Sequence, residues 1–296
     1  MKEKLLIMLF RVLAKMPFVF SRKVGSMIGY LVYRFDRKTR NIVKRNISVC
    51  LPDLLQDKGD WCIKEVCCQT GMVASESAWI WGRPANDVIS KVVRVNGREL
   101  LDASLCNDGG FIVAAPHLGN WEALGVWLGK HYSCYSMYRP PKMRGLDNYI
   151  RNGRESSGAN LVPANQAGVR QLIKGMRRGG IAAILPDQEP AVGEGVFAPF
   201  FGIDAWTMTL VNRLAEHQKL PVVMAYAIRC ADGFEITFRR LGDELMSLGL
   251  EEGAAVLNRE IEHEVLQFPW QYQWSYKRFK TRPPEEGGGF YSKLNG

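Results

Sequence analysis

The sequence predicts an α/β fold, with a mixed central sheet flanked by helices and an N-terminal membrane-associating helical segment. Short apolar runs bounded by turn residues have the length of buried strands, and longer segments with helical spacing of apolar residues alternate with them. This alternation is typical of α/β proteins. The clearest predicted strands are residues 111–115, 181–185, 221–229 and 234–240, and the clearest predicted helices are residues 60–82, 167–178 and 251–268.

The N-terminal segment, residues 1–45, carries the excess positive charge of the chain. It contains twelve Lys or Arg and two Asp or Glu, whereas the rest contains 27 and 28. Such a block predicts a surface for anions, either nucleic acid or anionic lipid. Residues 5–20 and 24–33 are mostly apolar, which favours lipid over nucleic acid.

Neither apolar run reaches the roughly 20 uninterrupted apolar residues that a spanning helix needs. Lys and Arg within and between the runs instead favour helices that lie on an anionic membrane surface. The alternative is an ordinary amphipathic helix packed on the domain. After this segment we expect one α/β domain over residues 46–282. Residues 283–296 include Gly287, Gly288 and Gly289 and predict a flexible tail.

The seven cysteines are scattered, and neither their number nor their spacing suggests a disulfide framework or a zinc site. This usage is typical of buried thiols in a reducing compartment. We therefore expect no metal site.

The most informative stretch is residues 111–122, FIVAAPHLGNWE. A buried strand ends at Pro116, and His117 and Glu122 follow at the start of a predicted helix. An imidazole titrates near neutral pH, and a carboxylate can hold its tautomer, so the pair has the composition of a general base and its orienting group. The five-residue separation requires a turn between them. The alternative is a helix-capping histidine beside a solvated glutamate, and spacing alone leaves both open.

Three further segments could contribute to a site. Residues 138–154 are rich in Arg and Lys and predict either phosphate recognition or a basic solvated loop. Asp187 and Gln188 follow the predicted strand 181–185, and they would line one cleft with His117 if both strand ends point the same way; the alternative is that Asp187 caps a loop. Phe200 and Gly202 belong to an aromatic, glycine-containing loop that predicts either an acyl pocket wall or a cover for the core.

These motifs together resemble the lipid A biosynthesis acyltransferases, the late lauroyl and myristoyl transferases. That family belongs to the H-x4-(D/E) lysophospholipid acyltransferase superfamily and has a glycerolipid acyltransferase-like fold. PHLGNWE at residues 116–122 carries the resemblance most specifically, and the other matching motifs follow in family order along nearly the whole chain. Those motifs are Tyr138-Arg139-Pro140, Asp147 with Arg151, Asp187-Gln188, the Phe200-Phe201-Gly202 loop and the aromatic block 269–280.

The resemblance implies an enzyme that moves a fatty acyl chain from a thioester to a hydroxyl of an anionic lipid A precursor. His117 would be the general base, Glu122 its orienting group, and backbone N–H groups around Gly119 and the helix start would stabilise the oxyanion. Direct transfer without an acyl-enzyme is expected, since no G-x-S-x-G elbow is present. The resemblance also implies substrate contacts at Asn120, Tyr138, Arg139, Arg151, Asp187, Gln188, Phe200 and Gly202.

The same resemblance implies acyl carrier protein as donor, no cofactor, and a place on the cytoplasmic face of the bacterial inner membrane. Arg139, Lys142 and Arg144 would dock the acidic carrier. One alternative is transfer to a glycolipid, an ornithine lipid or a lysophospholipid, with acyl-CoA as a possible donor. Another is a non-catalytic lipid-binding protein at the membrane, against which the presence of both His117 and Glu122 argues.

Overall fold

The computed structural model describes residues 2–287 and 289–292, and all statements below refer to these residues. The helices are α1 (Lys2–Lys15), α2 (Phe18–Phe35), α3 (Arg37–Cys50), α4 (Pro52–Lys58), α5 (Asp60–Trp81), α6 (Ala85–Ile89), α7 (Arg98–Asp108), α8 (Trp121–His131), α9 (Arg144–Glu155), α10 (Gln166–Met176), α11 (Leu210–Gln218) and α12 (Leu250–Gln267). The strands are β1 (Val92–Asn96), β2 (Ile112–Ala114), β3 (Cys134–Tyr138), β4 (Asn160–Pro163), β5 (Ile181–Ile184), β6 (Gly195–Phe200), β7 (Ile203–Met208), β8 (Val222–Arg229) and β9 (Phe234–Arg240).

Seven strands form one mixed sheet in the order β1-β9-β8-β2-β5-β3-β4. In the sheet, β8, β2, β5, β3 and β4 run parallel to one another, while β8 and β9 form an antiparallel hairpin. The predicted mixed central sheet flanked by helices is therefore confirmed. Because β2 and β5 are parallel neighbours at the middle of the sheet, the chain segments that follow them emerge side by side at one edge.

The core lies on both faces of this sheet. Alternate residues of β2 point to opposite faces, so Ile112 and Ala114 join one apolar cluster while Val113 joins the other. The same alternation continues in β8, where every residue is buried. Burial on both faces explains why these strands are continuous apolar runs in the sequence.

Helix α2 packs closely against α5 through small residues. A Cβ placed on Gly29 would lie 2.2 Å from the carbonyl oxygen of Cys67, and one on Gly71 would lie 2.2 Å from that of Gly25. Only glycine permits this approach of two helix backbones. The boundary predicted at residue 45 falls inside α3, which runs from Arg37 to Cys50.

The outer faces of α1 and α2 carry many of the exposed large apolar side chains of the described residues. They are Leu5, Met8, Leu9, Val12, Val19, Phe20, Met27, Ile28, Tyr30, Leu31 and Phe35. In the part of the chain that the structure describes, no helix combines the length and the hydropathy needed to cross a membrane.

Three local predictions differ from the structure. The basic segment after Tyr138 contains a helix, α9, and the loop before Gly202 is one strand of the β6–β7 hairpin. Within the predicted flexible tail Tyr291 is packed, because its hydroxyl donates to Asn46 Oδ1 at 2.7 Å and its ring is buried. Residues 288 and 293–296 of that predicted tail lie outside the described residues.

Candidate active site

The imidazole of His117 has a partner on each ring nitrogen. Nδ1 lies 2.7 Å from Asp187 Oδ1, and Nε2 lies 3.1 Å from the side-chain nitrogen of Gln188. A carboxylate can only accept, so Nδ1 carries the hydrogen and donates a hydrogen bond to Asp187. Nε2 is then the nitrogen with a free lone pair, which accepts from the Gln188 amide. The structure therefore holds His117 in the tautomer that a general base requires.

Strand register explains why His117 meets Asp187. Ala114 of β2 pairs with Ile184 of β5, and His117 and Asp187 each lie three positions beyond these paired residues. Both chain segments pass through a proline immediately before the polar residue. The second carboxylate oxygen of Asp187 accepts from the backbone N–H of His117 at 2.8 Å. One carboxylate thus fixes both the backbone and the ring of the histidine.

Asp187 is ionised although it is almost fully buried. Burial acts to raise its pKa, but the electrostatic attraction and the two hydrogen bonds of His117 outweigh burial, and the net pKa is lowered. Nearby, burial followed by the charge of Asp187 raises the pKa of Tyr272 well above its ordinary value. Asp187 therefore presents a negative charge to His117, where it can stabilise an imidazolium, and Tyr272 beside it stays neutral.

The prediction that Glu122 orients the His117 ring is wrong in its geometry. Glu122 accepts from Arg154 at 2.5 Å and 2.9 Å and from Trp81 Nε1 at 2.8 Å. The physical reason is that Glu122 lies in the first turn of α8, which directs its side chain toward α5 and α9. Its pKa is lowered, because Arg154 outweighs the opposing effect of burial. A role of Glu122 in catalysis stays a prediction.

Gly119 places the turn after His117 against β8. It has φ +68°, and a Cβ there would lie 2.0 Å from the carbonyl oxygen of Ala227. Its N–H donates to the carbonyl oxygen of Gln271 at 3.0 Å, and the next N–H, of Asn120, donates to Ala227 at 2.7 Å. The expected oxyanion donor at Gly119 is therefore already occupied, because this turn is paired to its neighbours.

Asn120 does not offer its side chain to a substrate, contrary to the prediction. Its Oδ1 accepts from the N–H of Ala123 and caps α8, while Nδ2 donates to Glu76 at 2.8 Å. Both ends of the amide are thus used inside the protein. Its structural role is to hold the start of α8, and with it the turn that carries His117.

Tyr138 ends β3, Arg139 follows it, and Arg151 lies in the second half of α9. The Tyr138 hydroxyl donates to Asp147 at 2.8 Å, and the guanidinium of Arg151 lies 5.3 Å from the centre of its ring. Arg139 is exposed. Arg154 packs on the same ring at 5.1 Å and links this group to Glu122. The motif therefore adjoins the site through Arg154.

Phe200 and Gly202 are placed differently from the predicted pocket wall. Phe200 is fully buried in the core, with its ring 6.0 Å from that of Tyr272, and Gly202 forms the turn between β6 and β7. Among the described residues, neither lines the cavity beside His117. The alternative interpretation, a cover for the core, agrees with the structure.

A cavity of about 290 Å³ adjoins the candidate base. It is bounded by Trp121, whose ring centre lies 4.6 Å from that of His117. A second link runs through Gln273, which accepts from Gln188 at 2.9 Å. The apolar walls of the cavity are formed by Phe10, Val73, Ala74, Trp81 and Trp121. Its polar walls include Gln69, Glu122, Arg229, Gln271 and Gln273. His117 itself does not line the cavity, which adjoins it through Trp121 and Gln273 and offers an apolar chain a place next to the site.

Sequence reasoning missed several residues that the structure brings to this site. Asp187 and Gln188 were predicted to contact substrate, whereas they hold the two nitrogens of His117. The matching Pro-His and Pro-Asp pairs at two strand ends were the available signal. Arg154, Glu76 and Arg229 carried no local signal of comparable strength, because their partners lie far away in the chain.

Residues 3–281 match the family described as bacterial lipid A biosynthesis acyltransferase. The chain is 27% identical over 271 residues to the lipid A biosynthesis palmitoleoyltransferase of Escherichia coli K12. The aligned region covers 89% of this chain and 86% of that protein. It is 26% identical over 290 residues to a lipid A biosynthesis acyltransferase of Haemophilus influenzae, covering 93% and 89%. It is 25% identical over 274 residues to the E. coli lipid A biosynthesis lauroyltransferase, covering 91% and 88%.

Proposed function

Because the chain belongs to the bacterial lipid A biosynthesis acyltransferases, we propose that it moves a fatty acyl chain from a thioester to a hydroxyl of a lipid A precursor. The observation that carries the mechanism is the pairing of His117 with Asp187 at 2.7 Å beside a largely apolar cavity. The relatives are named for different acyl groups, palmitoleoyl and lauroyl, so the family alone leaves the chain length open.

His117 acts as the general base in this proposal. Nε2 takes the proton of the acceptor hydroxyl as its oxygen attacks the thioester carbonyl carbon, and a tetrahedral oxyanion forms. Asp187 stabilises the imidazolium. The C–S bond then breaks, the ester forms, and the imidazolium returns the proton to the leaving thiolate. The acceptor oxygen is itself the nucleophile, so no acyl-enzyme is formed.

Gln188 occupies the position of the acceptor hydroxyl before substrate binds. Its amide nitrogen lies 3.1 Å from His117 Nε2 and 2.9 Å from Gln273 Oε1. The hydroxyl displaces this amide from Nε2, which frees an N–H donor next to the reacting carbon. We assign the displaced Gln188 amide to the oxyanion, since the N–H of Gly119 is used elsewhere.

The acyl donor is an acyl carrier protein or coenzyme A thioester. Arg139, Lys142 and Arg144 are close in sequence at the start of α9, and the first two belong to the connection from β3. A cluster of cations at this place favours an acidic carrier protein or a phosphorylated thiol by long-range attraction. Arg151 adjoins the same group and suits the anionic acceptor.

The outer faces of α1 and α2 bind the cytoplasmic surface of the bacterial inner membrane. Their exposed apolar side chains would enter the lipid, while cations such as Lys15, Lys23 and Arg34 would contact anionic headgroups. This arrangement brings an acceptor that resides in the membrane to the enzyme. A helix face of this size in a water-exposed position would otherwise leave a large apolar patch uncovered.

Mass spectrometry of lipid A from cells with and without the gene tests the proposed function. We expect the deletion to remove one acyl group, whose mass gives the chain length. A plasmid with the unchanged gene should restore the mass, and the His117→Ala variant should fail to restore it at equal protein abundance. An unchanged lipid A profile on deletion would contradict this acceptor, and the missing ester would then be sought among the other lipids.

A further inference from the structure

Arg229 is a buried cation with an unused donor at the polar wall of the cavity. It ends β8, and its side chain is 4% exposed. Nε donates to Gln69 Oε1 at 3.0 Å, and Nη1 approaches Glu76 Oε2 at 3.4 Å. Nη2 is buried and forms no hydrogen bond with any of the described residues. A buried N–H group without a partner is costly, so its retention calls for an explanation.

Glu76 does not neutralise Arg229 by itself. Its Oε1 accepts from Arg22 at 2.7 Å, and its Oε2 accepts from Asn120 at 2.8 Å, which is shorter than its distance to Arg229. Two guanidinium groups thus share one fully buried carboxylate. The cluster of Arg22, Glu76 and Arg229 therefore has a net charge of one positive unit inside the protein, where an unpaired charge is unfavourable.

The surroundings define what kind of group could complete this cluster. Arg229 lines the same cavity as Val73, Ala74 and Trp121, whose surfaces are mostly apolar. Its backbone N–H and carbonyl are held by both ends of the Gln271 amide, at 2.9 Å and 3.1 Å. The backbone of Arg229 is thereby fixed in place beside the cavity. Such a cavity fits a molecule that joins an anionic oxygen to a hydrocarbon chain.

We propose that the Arg229 guanidinium, which lines the cavity and carries the unpaired positive charge, binds an anionic oxygen of the lipid acceptor while the apolar wall of the cavity covers the adjoining hydrocarbon. The proposal rests on the proposed function in that this lipid is the substrate whose hydroxyl reacts. It adds a specificity-determining contact, because a neutral lipid of the same shape would leave the buried positive charge unpaired. Discrimination of this kind is stronger than discrimination by chain length alone.

Calorimetric titration of the purified full-length protein with octyl phosphate and with 1-octanol tests this contact without any turnover. We expect octyl phosphate to bind about tenfold more tightly or better, the ratio for a hydrogen bond to a charged group. Arg229→Gln should remove most of this preference. Arg170→Gln is the matched control, because Arg170 is an exposed arginine of α10 and its loss should leave the preference unchanged.

Equal binding of the two probes by the unchanged protein would overturn the proposal. An undiminished preference in a folded Arg229→Gln variant would also overturn it, since the phosphate would then bind elsewhere on the basic surface. Circular dichroism checks folding. A second variant, Val73→Trp, fills the apolar wall without touching the charge cluster, and it should abolish binding of octyl phosphate. Unchanged binding in that variant would place the probe outside the cavity.

Kinetics separates this contact from the proposed reaction. Arg229→Gln should raise KM for the acceptor about tenfold or more, while kcat and KM for the thioester change little. An equal fall in kcat would instead make Arg229 part of the reacting centre and contradict the proposal. If the unchanged protein transfers no acyl group to lipid A but prefers octyl phosphate, then the proposed function fails and the anion site remains.

Discussion

Two buried carboxylates lie near His117, and only one of them touches it. Asp187 is 70 positions away in sequence and bonds Nδ1 at 2.7 Å, whereas Glu122 is five positions away and bonds Arg154 and Trp81. Both have a lowered pKa because the interactions with a hydrogen-bonded partner, Arg154 for Glu122 and His117 for Asp187, outweigh burial. The comparison shows that strand register, rather than proximity in sequence, selects the partner of this histidine. It also separates two tasks, holding the His117 ring and joining α8 to α5 and α9.

Asp187→Asn should have the largest effect on catalysis. The amide cannot stabilise an imidazolium and can favour the wrong tautomer of His117, so kcat should fall by about 10²–10⁴-fold. Acyl transfer by the purified protein measures this fall. The control is Glu155→Gln, which changes an exposed residue of α9. If kcat in Asp187→Asn stays within a few-fold of the unchanged protein, then Asp187 does not support the base.

Glu122→Gln should act mainly on stability. It removes the charge that pairs with the largely buried Arg154, and breaking a buried ion pair from one side costs about 3–5 kcal/mol. Urea unfolding measures the loss in free energy of unfolding. A stable Glu122→Gln variant without activity would give Glu122 a direct part in the reaction and would weaken the contrast with Asp187.

Acid should destabilise the protein through both carboxylates. Because each folded-state pKa lies below its unfolded value, the ionised forms stabilise the fold above about pH 4. That stability is lost as pH falls through the lowered folded values. Urea unfolding at pH 7 and at successively lower pH should therefore show falling stability, less steeply in Asp187→Asn and Glu122→Gln. An identical pH dependence in all three proteins would contradict the lowered pKa values.

Glu155→Gln should have the smallest effect on the free energy of unfolding. It compares an exposed ion pair of α9 with the buried pair that Arg154 of the same helix forms with Glu122. Glu155 pairs with Arg151 at 3.1 Å, and both side chains are more than a third exposed, whereas the neighbouring Arg154 pairs with a buried carboxylate. Exposed pairs at this spacing contribute about 0.3–0.5 kcal/mol. Urea unfolding should hardly distinguish this variant from the unchanged protein. A loss similar to that of Glu122→Gln would show that burial does not decide the strength of these pairs.

The strands and long helices could be predicted because their signals are local. Residues 111–115 and 181–185 are apolar runs of strand length, and the structure places β2 and β5 within them. The helix predicted over residues 60–82 agrees with α5. The hairpin around Asp232 and Gly233 could also be predicted, since its turn residues lie between two strand-like runs. In contrast, α9 was obscured because its charged residues resemble those of a solvated loop.

The candidate site also has features that local sequence predicts and features that only the packing of distant segments decides. The sequence by itself determined that His117 follows a buried strand, that Asp187 follows another, and that the order of motifs is that of an acyltransferase family. Only the tertiary structure decided that β2 and β5 are neighbours in a register that brings these two residues together. It likewise assigned Glu122 to Arg154, and Glu76 to both Arg22 and Arg229. Burial of apolar residues follows a local pattern that can be detected in the sequence. The partner of a polar side chain instead depends on which other side chains the packed helices and strands bring within hydrogen-bonding distance.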